Sequence, residues 1–183
     1  MKIACLGWGS LVWDPKELPV IGDWQNDGPM VSVEFLRQSS DGRITLVLDT
    51  GGTQVPSLWT RLESHNIDSA VAALQEREGV RDQDAARDIG RWIGSSSPPL
   101  VSGLADWAKK RCFDAVVWTA LGFRSKGHAY RRSADEIIKY LQTLTGERRS
   151  KAETYVRRAP KQIETAYRHR IEAELGWVQV DGD

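Results

Sequence analysis

The spacing of hydrophobic positions changes along this chain, and each spacing predicts a different element. Ile3-Ala4-Cys5-Leu6 is a short continuous apolar run, and a strand is expected over 2–6. Val31-Ser32-Val33-Glu34-Phe35-Leu36 alternates with the period of a half-buried strand. Arg43-Ile44-Thr45-Leu46-Val47-Leu48 returns after the hairpin-type turn Ser39-Ser40-Asp41-Gly42. Thr50-Gly51-Gly52 marks another turn, and 55–62 reads as a further strand in which Pro56 argues for an edge or bulge. Ile67, Val71 and Leu74 fall at i, i+4 and i+7, so 67–77 reads as a helix. Asn66 or Asp68 can cap its start, and Gly79 is placed to stop it. Residues 81–100 are polar and then rich in Ser and Pro, and an irregular insertion is expected there. A short helix over about 100–111 carries Leu104 and Trp107, and 113–121 is the last strong strand.

The C-terminal third reads as helical. Ser133-x-x-Glu136 is a capping box ahead of Ile137, Ile138, Leu141 and Leu144. From Ser150 onward the apolar positions keep a helical period, which Pro160 interrupts, giving a kinked helix or two helices. Strands first, one helix inserted, then helices is the pattern of an α+β domain: a curled, mostly antiparallel sheet or small β-barrel flanked by helices. No internal repeat or long linker divides residues 1–183, so a single domain is expected.

Composition narrows the class. With 183 residues, 40% hydrophobic and 27% charged, the chain has the make-up of an ordinary globular protein with a real core. No apolar run approaches the ~20 residues that span a bilayer, and the first residues turn polar too quickly for a signal peptide. Cys5 and Cys112 are the only cysteines and form no Cys-x-x-Cys. A reduced, cytoplasmic setting is the expectation. The net charge of zero conceals an asymmetry: residues 124–170 hold 13 Lys/Arg against 5 Asp/Glu. With no recognised module and no aromatic-basic interleaving, this segment reads as a solvated helical face rather than a nucleic-acid surface. His65, His128 and His169 lie far apart without metal-ligand spacing, so no metal is expected.

The first strand ends in Gly7-Trp8-Gly9-Ser10-Leu11. Glycines permit φ > 0 and close ligand approach, and successive N–H groups in such a turn can form an anion-binding nest. A tight turn after an edge strand is the plainer alternative. Gly-x-Gly-x-x-Gly is incomplete because position 12 is Val, no helix pattern opens directly behind it, and no Lys-Ser/Thr follows. These absences argue against a nucleotide site. Ser10 lacks the Gly-x-Ser-x-Gly context of a nucleophile and reads as a loop hydroxyl. Asp49-Thr50-Gly51 is the aspartic-protease triplet, but one copy in a chain of this size is better explained as a turn. Cys5 and Cys112, in or beside an apolar strand, read as inert core thiols.

Leu6-Gly7-Trp8-Gly9-Ser10-Leu11 resembles the Tyr-Gly-Ser-Asn/Leu loop that opens the γ-glutamylcyclotransferase-like proteins. Val55-Pro56-Ser57-Leu58-Trp59 is similar to that family's second signature strand, and Leu74-Gln75-Glu76-Arg77-Glu78-Gly79 matches its Leu-x-x-x-Glu-Gly. The resemblance runs over roughly residues 2–123. It implies a cofactor-free cyclotransferase acting on a small γ-glutamyl compound: the α-amine attacks its own γ-carbonyl and releases 5-oxoproline and an amine. It implies Glu78 as the catalytic acid–base residue and the Gly7, Trp8, Gly9, Ser10 and Leu11 loop as the substrate-binding element.

Two departures stand beside it. Trp8 occupies the position of the motif's Tyr, so a phenol donor is replaced by an indole that cannot exchange a proton. No Tyr follows Glu78 where the family tends to place one. The competing function is a non-catalytic module on the same fold that binds a small carboxylate or a protein tail. The plain structural alternative for Glu78 is an exposed helix-end carboxylate beside Arg77 and Arg81.

Overall fold

The computed structural model describes residues 1–123 and 130–180. His128, the first six residues of the basic segment and the last three residues of the chain lie outside the described residues. In order, the elements are β1 (Ile3–Gly7), β2 (Val20–Gln25), β3 (Met30–Gln38), β4 (Ile44–Leu48), β5 (Thr53–Pro56), β6 (Leu58–Leu62), α1 (Ile67–Glu78), α2 (Asp82–Asp88), β7 (Ile89–Trp92), β8 (Val101–Ser102), α3 (Leu104–Lys110), β9 (Ala115–Thr119), α4 (Ala134–Thr143), α5 (Gly146–Arg158) and α6 (Ala166–Leu175). The class is α+β, as the element pattern predicts. The chain divides into two compact units, one of Met1–Val31 with Pro56–Leu121, the other of Ser32–Val55 with Gly122–Asp183.

The first unit holds a five-stranded sheet in the order β2-β6-β1-β9-β7. Three of its four pairings are antiparallel, and only β1 and β9 run parallel. Neither this sheet nor the second closes into a barrel among the described residues, so the small-barrel alternative is not what forms. The expected single sheet is also corrected. The 31–48 hairpin pairs in a separate sheet, β4-β3-β5, because alternation specifies a half-buried face without specifying which sheet supplies it.

Strand side chains alternate between faces. Ile3 and Cys5 of β1 and Ala115 and Val117 of β9 therefore join one core with Leu62, Ala70, Leu74 and Ile89, against which Ile67 and Val71 also pack. Helix α1 lies on that face. Asn66 caps it by accepting from the Ser69 N–H at 2.9 Å, and Gly79 ends it in the left-handed region at φ 64. Residues 82–92 are not the irregular insertion expected: α2 and β7 form there, and Ile89 of β7 pairs with Thr119 of β9. Gly90 lies so close under Trp118 that a Cβ there would sit 2.1 Å from the indole.

In the second unit β3 pairs antiparallel with β4, Val33 opposite Leu48 and Phe35 opposite Leu46. Tyr155 of α5 meets Phe35 edge-on at 6.3 Å, and its hydroxyl accepts from the Leu46 N–H at 3.2 Å. The capping box is present: the Ser133 hydroxyl accepts from the Glu136 N–H, and the Glu136 carboxylate accepts from the Ser133 N–H. Pro160 separates α5 from α6, giving two helices rather than a kinked one. Arg168, 1% exposed, closes the gap by donating to the carbonyls of Ala159, Pro160 and Ile163. A buried cation with each of those bonds made is a structural tie.

Candidate functional site

The stripe that buries α1 also carries its chemistry. Ala70 and Leu74 are fully buried, and three and four residues beyond Leu74 come Arg77 and Glu78. Helical periodicity thus extends the apolar face into a charged pair at the helix C-terminus. Because β1 and β9 are parallel, their C-terminal ends lie at the same end of the sheet. The Gly7–Leu11 loop leaves β1 there, and Thr119 closes β9 there.

Arg77 and Glu78 form an ion pair, Nη1 to Oε1, at 2.7 Å, with side chains 6% and 12% exposed. The plain reading of Glu78 as an exposed helix-end carboxylate therefore does not describe this residue. The Thr119 hydroxyl donates to the same Oε1 at 2.9 Å. Among the described residues, Oε2 accepts no hydrogen bond. A carboxylate at a helix C-terminus opposes the helix dipole, and the Arg77 cation offsets that.

The remaining guanidinium donors of Arg77 reach the other candidate element. Nε and Nη2 donate to the Asp14 carbonyl at 3.2 and 2.6 Å, and Nη2 also lies 3.4 Å from the Ser10 hydroxyl oxygen, as a donor to it. One side chain thus joins the loop to the carboxylate. Of five guanidinium N–H groups, those bonds use four, two from Nη2 and one each from Nε and Nη1. Lys16 adds a bond from Nζ to the Arg77 carbonyl at 3.5 Å.

The loop works differently from its expectation. Neither Gly7 nor Gly9 adopts φ > 0. Gly7 is required by close approach: a Cβ would fall 2.8 Å from the Trp24 ring and 3.0 Å from Val12. Trp8 and Leu11 are each 4% exposed, and Leu11 belongs to the core that packs under α1. Residues 9–14 form a single helical turn in which the Val12 N–H donates to the Gly9 carbonyl at 3.0 Å and the Asp14 N–H to the Ser10 carbonyl at 2.8 Å. Among the described residues the N–H groups of Gly9, Ser10 and Leu11 donate to no oxygen. The indole Nε1 of Trp24 is likewise a buried donor without a partner among the described residues.

The other candidates separate from this group. Cys5 is fully buried, and burial, assisted by the negative charge of Glu78, pushes its thiol far up, which fits an inert core thiol; Cys112 is instead exposed, on the turn between α3 and β9, and is not the core thiol expected. Asp49, in the second unit, accepts from the Gly51 N–H at 3.0 Å, a turn bond, and pairs with Arg131 Nε at 2.7 Å. Glu34 of that unit is 1% exposed and accepts from Thr165, Thr53 and the N–H groups of Phe35 and Tyr167. Among the described residues no group of three or more His, Cys, Asp or Glu is placed to hold a metal ion, and no helix is long and apolar enough to cross a membrane.

Arg77 and Thr119 are the site residues that sequence reasoning missed. Arg77 carried a signal in its position three residues after Leu74 on the buried stripe; Thr119 carried none, because its role depends on strand pairing. No family model matches the chain, and no curated protein matches it.

Proposed function

We propose that this protein is a cofactor-free cyclotransferase acting on a small γ-glutamyl compound. The observation that carries the reading is the Glu78 carboxylate, 12% exposed, fixed through Oε1 and linked by one guanidinium to the Gly7–Leu11 loop. Support comes also from the loop N–H groups that donate to no oxygen among the described residues, which suit an anionic oxygen of the substrate.

In the proposed reaction Glu78 Oε2 takes a proton from the substrate's α-ammonium. The freed amine lone pair attacks the γ-carbonyl carbon, and the new N–C bond closes a five-membered ring. Charge collects on the carbonyl oxygen. As the tetrahedral intermediate collapses, the bond to the leaving nitrogen breaks and that nitrogen receives the proton from Glu78; the ring nitrogen then gives up its second proton through the same carboxylate to the released amine, which departs as an ammonium. The products are 5-oxoproline and an amine, and Glu78 returns to its starting state. No oxidant, reductant or added water enters the balance. One carboxylate, protonated and deprotonated twice, suffices for these proton transfers.

The test is a 5-oxoproline-release screen of the purified protein over γ-glutamyl amines and γ-glutamyl peptides. Release from at least one class supports the reading, and silence across the set contradicts it.

A further inference from the structure

We propose that Arg77 is the positioning residue of this site: its guanidinium ties Glu78 Oε1 to the Ser10–Asp14 turn, so that base and loop hold one geometry and Oε2 is presented to the substrate. The inference rests on the cyclotransferase reading and assigns a role to a residue that takes no part in its proton transfers.

Arg77 stands on the buried face of α1, where an apolar side chain would continue the packing of Ala70 and Leu74. A cation buried there needs its donors satisfied, and their partners are distributed between two elements. Nη1 serves Glu78; Nε and Nη2 serve the Asp14 carbonyl, with Nη2 also near Ser10 Oγ. A planar fork does this and an ammonium does not, because Lys offers a single point from which to reach both partners.

The bonds to Glu78 are one-sided. Arg77 and Thr119 both donate to Oε1, which fixes the carboxylate plane and leaves the second oxygen for proton exchange. The turn that carries the loop N–H groups is tied to the same guanidinium through Ser10 Oγ and the Asp14 carbonyl, so one side chain couples the base to the loop. Effective catalysis depends on such placement, and a misplacement of ~1 Å can cost ~100-fold in rate. Arg77 touches no reacting atom in this scheme and acts through Glu78 and the loop.

The experiment compares wild type, Arg77→Met, Arg77→Lys, Glu78→Gln and the Arg77→Met/Glu78→Gln double variant. Turnover and KM for 5-oxoproline release are measured separately, and folding is checked by circular dichroism. Arg77→Met is expected to lower kcat by ~100-fold with a smaller change in KM, and Arg77→Lys to restore only part of the loss. The double variant is expected to be no slower than Glu78→Gln alone, because a residue acting through Glu78 has nothing left to position. Should Arg77→Met not fold, the reduced kcat of folded Arg77→Lys carries the same test. Unchanged kcat in a folded Arg77 variant, or losses that multiply in the double variant, overturns the role of Arg77 while leaving the cyclotransferase reading intact. A wild type that releases no 5-oxoproline overturns both.

Discussion

Arg77 and Glu78, adjacent in sequence on the last turn of α1, pair side chain to side chain at 2.7 Å with very little solvent access. Neighbouring residues on a helix point about 100° apart, so this contact requires both side chains to turn toward the same place. That place is the end of the sheet where β1 gives way to the glycine loop and β9 ends in Thr119. An exposed pair of this kind contributes little. Here the low solvent access and the further partners, Ser10 and Asp14 on Arg77 and Thr119 on Glu78, make it the organising contact of the site.

Thr119→Val keeps the shape of the side chain and removes the hydroxyl that donates to Glu78 Oε1. Turnover is expected to fall by about tenfold, equivalent to about 1.4 kcal/mol of transition-state stabilisation. Steady-state kinetics on the substrate found in the screen measures it. Because β9 pairs through its backbone, the fold should be retained.

Gly79→Ala tests the helix stop. Gly79 has φ 64, and an added Cβ would meet nothing within 4 Å, so the cost is conformational rather than steric. A loss of about 1 kcal/mol is expected in urea unfolding. Gly90→Ala is the contrast. Its Cβ would sit 2.1 Å from Trp118, within the sheet, and overpacking there should cost at least about 1–3 kcal/mol.

Glu34 gives a prediction about pH. Burial raises its carboxyl above the ordinary carboxylate range, against the opposing hydrogen bonds from Thr165, Phe35, Tyr167 and Thr53. A raised folded-state value means that the folded protein holds this proton more tightly than the unfolded chain. Its contribution to stability is therefore fully present below the unfolded value and declines as pH rises toward the folded one. Glu34→Gln destabilises at every pH, because its amide nitrogen cannot replace a carboxylate oxygen as acceptor for both sets of donors. The gap between wild type and Glu34→Gln should narrow as pH rises through that window. Paired urea melts at acid and neutral pH check it, and the subtraction cancels the other carboxylates.

Much of the fold was legible in the sequence where its causes are local. The Asn66 cap, the Gly79 stop and the Ser133–Glu136 box are each written in a few residues, and each is present. Elements decided by distant pairing were not legible. β2 is an exposed edge strand broken by Gly22 at φ 75, and its short sequence carries no alternation. α2 and β7 hide in polar sequence because pairing with β9, rather than propensity, forms β7. At the site, the glycine loop and Glu78 stood out as candidates, but the reason for Gly7 differs: it admits the Trp24 ring and uses no positive φ. Arg77 was not singled out, because charged residues so seldom continue a buried stripe.

The central claim is that Glu78 carries the proton transfers of a γ-glutamyl cyclisation. The most direct measurement is 5-oxoproline release by wild type and Glu78→Gln on one substrate, with binding of that substrate measured for both. The expected result is wild-type release, a loss of at least ~100-fold in Glu78→Gln, and binding that survives because the proposed anchor of the substrate is the Gly7–Leu11 loop and not Glu78. Equal release by the two proteins would contradict it.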